Sequence, residues 1–236
     1  MSTSAVKCPR PTPDIRWGPL LLLSFGAGGA DAFAFTLLGG IFTANMTGNL
    51  VLVGLVGREH YTQTLLGAST AILVFTATAW FALRYMQSAF DRFERSSNLL
   101  AVGAASQITI AVVWSIVYES GGRLTITFLI CLSAVAMAVQ TVAARKMKAP
   151  GAVTTTFVTG TLIGLLDDLA QGKYRYVLSR IIAIATLVLG AVVVSTILLT
   201  IPVAAPLIPA LAGLTAYVVS LRGYRRSRVR VPQGGH

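Results

Sequence analysis

No Asp, Glu, Lys, Arg or His occurs anywhere in residues 181–221. Windows 61–83, 96–118 and 124–144 are equally free of them, and within 17–57 the only one is Asp31. An α-helix rises 1.5 Å per residue, so ~20 apolar residues cross the ~30 Å hydrocarbon layer of a bilayer. Several windows reach that length. Composition agrees: 11% of the residues are charged, against about 25% in a soluble domain. The chain reads as an all-α, polytopic transmembrane helix bundle.

Basic residues followed by the apolar run after Trp17 could be taken for a secretory signal. The apolar stretch continues past Phe33 into further membrane segments, whereas signal h-regions run ~7–15 residues, so a first transmembrane helix is expected. The net charge of +11 raises the question of nucleic acid. The basic residues flank apolar segments, however, and no nucleic-acid module is recognisable. Their expected role is topological, with attraction to anionic lipid. Cys8 and Cys131 give no disulfide or metal spacing, and His60 and His236 lie in a loop and at the chain end. No cofactor, metal or enzymatic activity is expected: no histidine lies at membrane depth to serve as base or ligand.

Hydropathy marks eight segments, 17–37, 41–57, 64–84, 98–118, 124–144, 152–166, 180–200 and 203–221, with a break at Pro202 between the last two. Two of them carry a Thr-Gly step, Thr47-Gly48 and Thr159-Gly160, at an offset of 112 positions. If all eight segments cross, Arg84, Arg92, Arg95, Arg145, Lys146 and Lys148 fall outside the cytoplasm. If the Thr-Gly segments instead enter the membrane and return, every Lys and Arg except Arg58 and Arg123 falls inside. Cytoplasmic loops are rich in Lys and Arg, so six spans plus two short re-entrant or broken segments is the preferred architecture, with eight spans as the alternative. The termini are then both cytoplasmic. The domain plan is an arm over 1–16, one transmembrane domain over 17–221 and a basic tail over 222–236.

The offset also aligns Gly39 with Gly151, Thr43 with Thr155 and Leu50 with Leu162, then Ala71, Ile72 and Ala79 with Ala183, Ile184 and Ala191. With a three-residue shift, Asp31 corresponds to Gln140. Two pseudo-symmetric repeats, about 17–118 and 124–221, are therefore expected. With six spans each repeat contributes three, and the halves are inverted. Inverted repeats with broken helices are a recurring transporter design, with the site at the repeat interface near the midplane.

Candidate site residues follow from that plan. A carboxylate at a helix centre costs ~2.5–3.5 kcal/mol on insertion scales and usually faces the bundle interior or a watery path. Asp31 is thus either a proton- or cation-coupled group or a hydrogen-bond acceptor near the outer end of the first helix. Gln140 either binds solute or joins helices, and Asn49 either binds solute or caps a helix start. Thr47, Gly48, Thr159, Gly160 and Thr161 complete the set, and Thr154, Thr155 and Thr156 add hydroxyls nearby. Gly26, Gly28, Gly29, Gly39 and Gly40 read as close-packing points. Asp167 and Asp168 read as a solvated helix end.

The stretch GAGGADAFAFTLLGGIFTANMTGN, followed by AMAVQTVAARK and TTTFVTGTL, resembles the YoaK family, bacterial multi-pass membrane proteins of unknown function. The family's Gly-x-x-Asp-Ala step falls on Gly28 or Gly29 with Asp31 and Ala32. Its Thr-Gly-Asn step falls on Thr47, Gly48 and Asn49 after Phe42, and its second Thr-Gly-Thr on Thr159, Gly160 and Thr161. Gln140 is followed here by Thr141 and Val142, where the family shows Asn-Ala. The resemblance covers most of the chain and implies an integral plasma-membrane protein, with no known substrate. The sequence as a whole is read as a small secondary transporter of a polar solute or ion, with a passive channel or a non-transporting scaffold as alternatives. A homodimer is compatible with its size.

Overall fold

The computed structural model describes residues 17–87, 92–118, 120–147, 158–174 and 177–229. The arm over 1–16, Lys148, Thr154, Thr155, Thr156 and the chain end lie outside the described residues. Among those described, eight α-helices occur: α1 (Trp17–Leu37), α2 (Met46–Gly54), α3 (Tyr61–Tyr85), α4 (Arg92–Val117), α5 (Arg123–Lys146), α6 (Val158–Ala170), α7 (Val177–Thr200) and α8 (Leu207–Val229). A 3-10 turn over Pro202–Ala204 separates α7 from α8, because proline cannot continue the donor ladder of the preceding helix.

Six helices are long and apolar enough to cross a membrane. Helices α2 and α6 have 9 and 13 residues, about 14 and 20 Å of rise. Neither is long enough to cross alone, so the described residues hold six helices of spanning length rather than eight. Two sequence boundaries move. Helix α4 starts at Arg92 and α8 continues to Val229, since charged residues extend a helix beyond the bilayer at no desolvation cost. The basic tail therefore begins as helix.

Buried side chains fix the direction of each crossing. Leu20 and Leu23 near the start of α1 cluster with Ala82 of α3 and Met86 just after it, Leu99 of α4, Ala143 of α5 and Ala216 of α8. At the other end Phe33 and Leu38 cluster with Ala68, Trp114, Leu129 and Val194. The six long helices thus alternate, with the start of α1 and the end of α8 at the same end. Arg84, Arg95, Arg145, Lys146 and Arg222 belong to that end too, whereas Arg58 and Arg123 belong to the opposite one.

Helix α1 packs on α7 and α8, and α5 packs on α3 and α4. Helix α2 lies on α3, α6 lies on α7, and α4 touches α8. Exchanging α1–α4 with α5–α8 reproduces this set of neighbours. The tightest approach is between α1 and α7. A methyl group at Gly28 would fall on the Leu187 carbonyl, and one at Gly190 on the Phe25 carbonyl. Missing side chains let the two backbones meet. Gly39 and Gly40 serve otherwise than expected: at φ 97° and 73° they form a left-handed turn where a Cβ would be strained.

Candidate functional site

The Gly39-Gly40 turn reverses the chain at the end of α1 and sends residues 41–45 back along it. Asp31 lies six residues before the end of α1, about 9 Å along the axis. The returning loop meets it there. Backbone N–H groups of Thr43 and Ala44 donate to Asp31 Oδ1, both at 2.7 Å, and the Thr43 hydroxyl stands 3.4 Å from the same oxygen. Thr43 is fully buried and its hydroxyl accepts from Ser133 Oγ of α5 at 3.0 Å. Helix α2 begins just beyond, with Asn45 Oδ1 accepting from the Gly48 N–H at 3.1 Å as its N-cap. A carboxylate beside a helix start is favoured by the dipole and by charge-assisted bonds to free amides. The Asn45 backbone N–H also donates towards the Asp31 carboxylate.

Asn49 closes the same loop. Its Oδ1 accepts from the Phe42 N–H at 2.8 Å, and its Nδ2 donates to the Phe42 carbonyl at 2.6 Å. The side chain is fully buried. This satisfies both polar groups of a peptide that no helix serves at membrane depth. Gly48 is small for a related reason: a Cβ there would press on the Phe42 ring. Thr47 points outward and is exposed. Tyr61 Oη donates to the Val53 carbonyl at 2.8 Å and holds the end of α2 against α3.

Phe42, so placed, forms one wall of a cavity of about 450 Å³. Helix α1 supplies Ala27, Gly28, Asp31, Ala32 and Phe35; the loop adds Ala44 and Asn45. The far side is Val158 and Thr159 at the start of α6, with Leu187 and Ala191 of α7. Ser133 and Leu187 each stand ten residues into their helices, about 15 Å deep. Both short helices therefore start near mid-depth. Helix α2 leaves towards the end holding Tyr61. Helix α6 leaves towards the basic end, where Asp168 pairs with Arg180 Nε of α7 at 3.1 Å.

Asp31 and Thr159 are thus brought to one cavity from the two halves of the chain. The other expected site residues do not line it. Gln140 is buried and donates to the Leu23 carbonyl of α1 at 2.8 Å. Gly160 is exposed and Thr161 is buried. Asp168 is not a solvated helix end, because its carboxylate and Arg180 are 14% and 11% exposed. Phe35, Phe42 and Asn45 line the cavity without having been singled out, although Phe42 stood inside the motif. Among the described residues Asp31 is the only charged side chain in the lining, and no three of His, Cys, Asp and Glu come together. Charged groups on the helices packed against α1 stand at helix ends: Arg180 with Asp168, Arg123, Arg145, Lys146 and Arg222.

A family model described as "Protein of unknown function (DUF1275)" matches residues 19–220. The chain belongs to this family. It is also 30% identical over 185 residues to the UPF0700 transmembrane protein YoaK of Bacillus subtilis (strain 168), covering 75% of this chain and 81% of that relative. No solved structure matches. The matched region runs from the start of α1 almost to the end of the last apolar window. It includes both Thr-Gly segments and the whole cavity lining. Membership makes this a multi-pass transmembrane protein of an uncharacterised family.

Proposed function

We propose that this DUF1275 protein is a small secondary transporter that moves a polar solute or ion through the cavity and couples it to protons at Asp31. The observation that carries the reading is the cavity itself. It lies near mid-depth between the starts of two half-helices that leave towards opposite ends, and the one charged side chain in its lining among the described residues is titratable. Broken helices meeting at a midplane site are how many transporters bind solute, and an intramembrane carboxylate is a proton-relay candidate by default. The exchange of packing partners between α1–α4 and α5–α8 supports descent from a duplicated, inverted unit. The excess of Lys and Arg at one end supports a cytoplasmic location for both termini, in a bacterial plasma membrane.

The scaffold reading draws on a specific observation as well. Asn49 and Gln140 are committed to backbone groups, and Asp31 Oδ1 is committed to the loop. Protein reconstituted into vesicles with an internal pH-sensitive dye separates the readings. A panel of external solutes should include at least one that drives proton movement, and Asp31→Asn should abolish it. Solute passage that ignores both the pH gradient and Asp31→Asn would establish a channel. No solute-dependent flux, together with an unchanged cellular phenotype for Thr159→Val, would leave the scaffold.

A further inference from the structure

We propose that the cavity takes a small organic cation, a substituted ammonium whose charge faces Asp31 and whose apolar groups lie against Phe35 and Phe42. This rests on the transport reading for the purpose of the site, but it concerns the class of ligand. The sign comes from the lining. Asp31 is its only charged side chain among the described residues, and Lys, Arg and His are absent from it. The starts of α2 and α6 each add about half a positive charge spread over a turn of helix, whereas the Asp31 charge is localised on two oxygen atoms in the cavity wall. Asp31 Oδ1 is taken by the loop amides, while a carboxylate's second oxygen still has lone pairs to offer.

The apolar part comes from the rings. Phe35 and Phe42 stack with centroids 5.1 Å apart and planes at 23°, and both line the cavity beside Asp31. An aromatic face attracts a cation within about 6 Å of its centroid, and substituted ammonium ions are the usual guests of aromatic walls. Gly48 gives the Phe42 ring the room it needs. Ala27, Gly28, Ala32, Ala44 and Ala191 make most of the remaining surface small and apolar. Among the described residues a sugar or polyol would find only the Asp31, Asn45 and Thr159 side chains as polar partners in the lining, too few for several buried hydroxyls. At about 450 Å³ the space suits a ligand at the small end of the usual range.

Direct binding tests the class without requiring transport. The full chain in lipid nanodiscs is dialysed to equilibrium against radiolabelled benzyltrimethylammonium, benzyl alcohol or benzoate, which share a phenyl group and differ in charge. Saturable binding of the cation, at least about ten-fold tighter than that of the other two, is expected. Asp31→Asn should weaken it by at least about ten-fold. Phe35 is 42% exposed, so Phe35→Leu should leave the melting temperature unchanged and weaken the cation about three-fold. Phe35→Leu carries the test if Asp31→Asn does not fold. Equal or tighter binding of the alcohol or benzoate, absence of saturable cation binding, or cation affinity untouched by a folded variant would each overturn the proposal. If the cation binds and no solute moves protons in vesicles, the transport reading fails and the ligand class stands. If benzoate or the alcohol drives the flux instead, the ligand class fails and transport stands.

Discussion

The two Thr-Gly segments occupy equivalent places in the helix packing and differ in the side chains that fasten them. The first is fastened at four places: Asp31 on Thr43 and Ala44, Ser133 on Thr43, Asn49 on Phe42, and Tyr61 on Val53. The second runs as helix α6, which lies on α7 and buries Thr161 and Leu165, while Val158, Leu162, Ile163 and Leu166 are exposed. Its one ion pair among the described residues is Asp168 with Arg180, whose guanidinium lies where a side chain at Gly164 would stand. A repeated motif therefore does not imply a repeated set of contacts. The carboxylate at the start of α2 corresponds by sequence to Gln140, and Gln140 is bonded to α1 instead.

Substitutions can break this contrast. The largest effect is expected for Asn49→Ala, which strands the buried N–H and carbonyl of Phe42. Destabilisation of about 3 kcal/mol, read by denaturant unfolding in nanodiscs, is the expected outcome, and a change near zero would mean the first segment is not fastened as described. Gly48→Ala should cost about 2 kcal/mol by displacing the Phe42 ring, and a smaller aliphatic partner, Phe42→Leu, should recover part of it. Arg180→Gln should cost about 1 kcal/mol globally, between the values for exposed and buried pairs. Its clearer signature is local: a cysteine placed at Thr159 should react faster with a thiol reagent, while one at Thr43 should not. Thr47→Val, on an exposed side chain, should stay within about 0.5 kcal/mol of the parent. A larger loss would show that the Thr-Gly threonine of the first segment has a partner beyond this chain.

Much of the architecture was legible along the chain. The spans at 17–37 and 180–200, the break at Pro202 and the shortness of both Thr-Gly segments rest on local hydropathy, length and proline chemistry. These do not depend on what a segment packs against. The membership of the site was legible only in part. Asp31 stood out because a lone carboxylate in an apolar window is costly wherever it lies. Asn49, Gln140 and Thr47 look alike as polar residues at membrane depth, yet the first staples a loop, the second bridges two helices and the third faces outward.

The sequence by itself determined that this chain is a multi-pass membrane protein and which of its segments carry the positive charge. Hydrophobic length and charge segregation decide those matters residue by residue. Only the tertiary structure decided that Asp31, Phe35, Phe42 and Thr159 share one cavity. Their meeting depends on the reversal at Gly39-Gly40, the close approach of α1 to α7 at Gly28 and Gly190, and the packing of α6 on α7. Each is a relation between distant backbones, carried by bond geometry and steric fit that no local window contains.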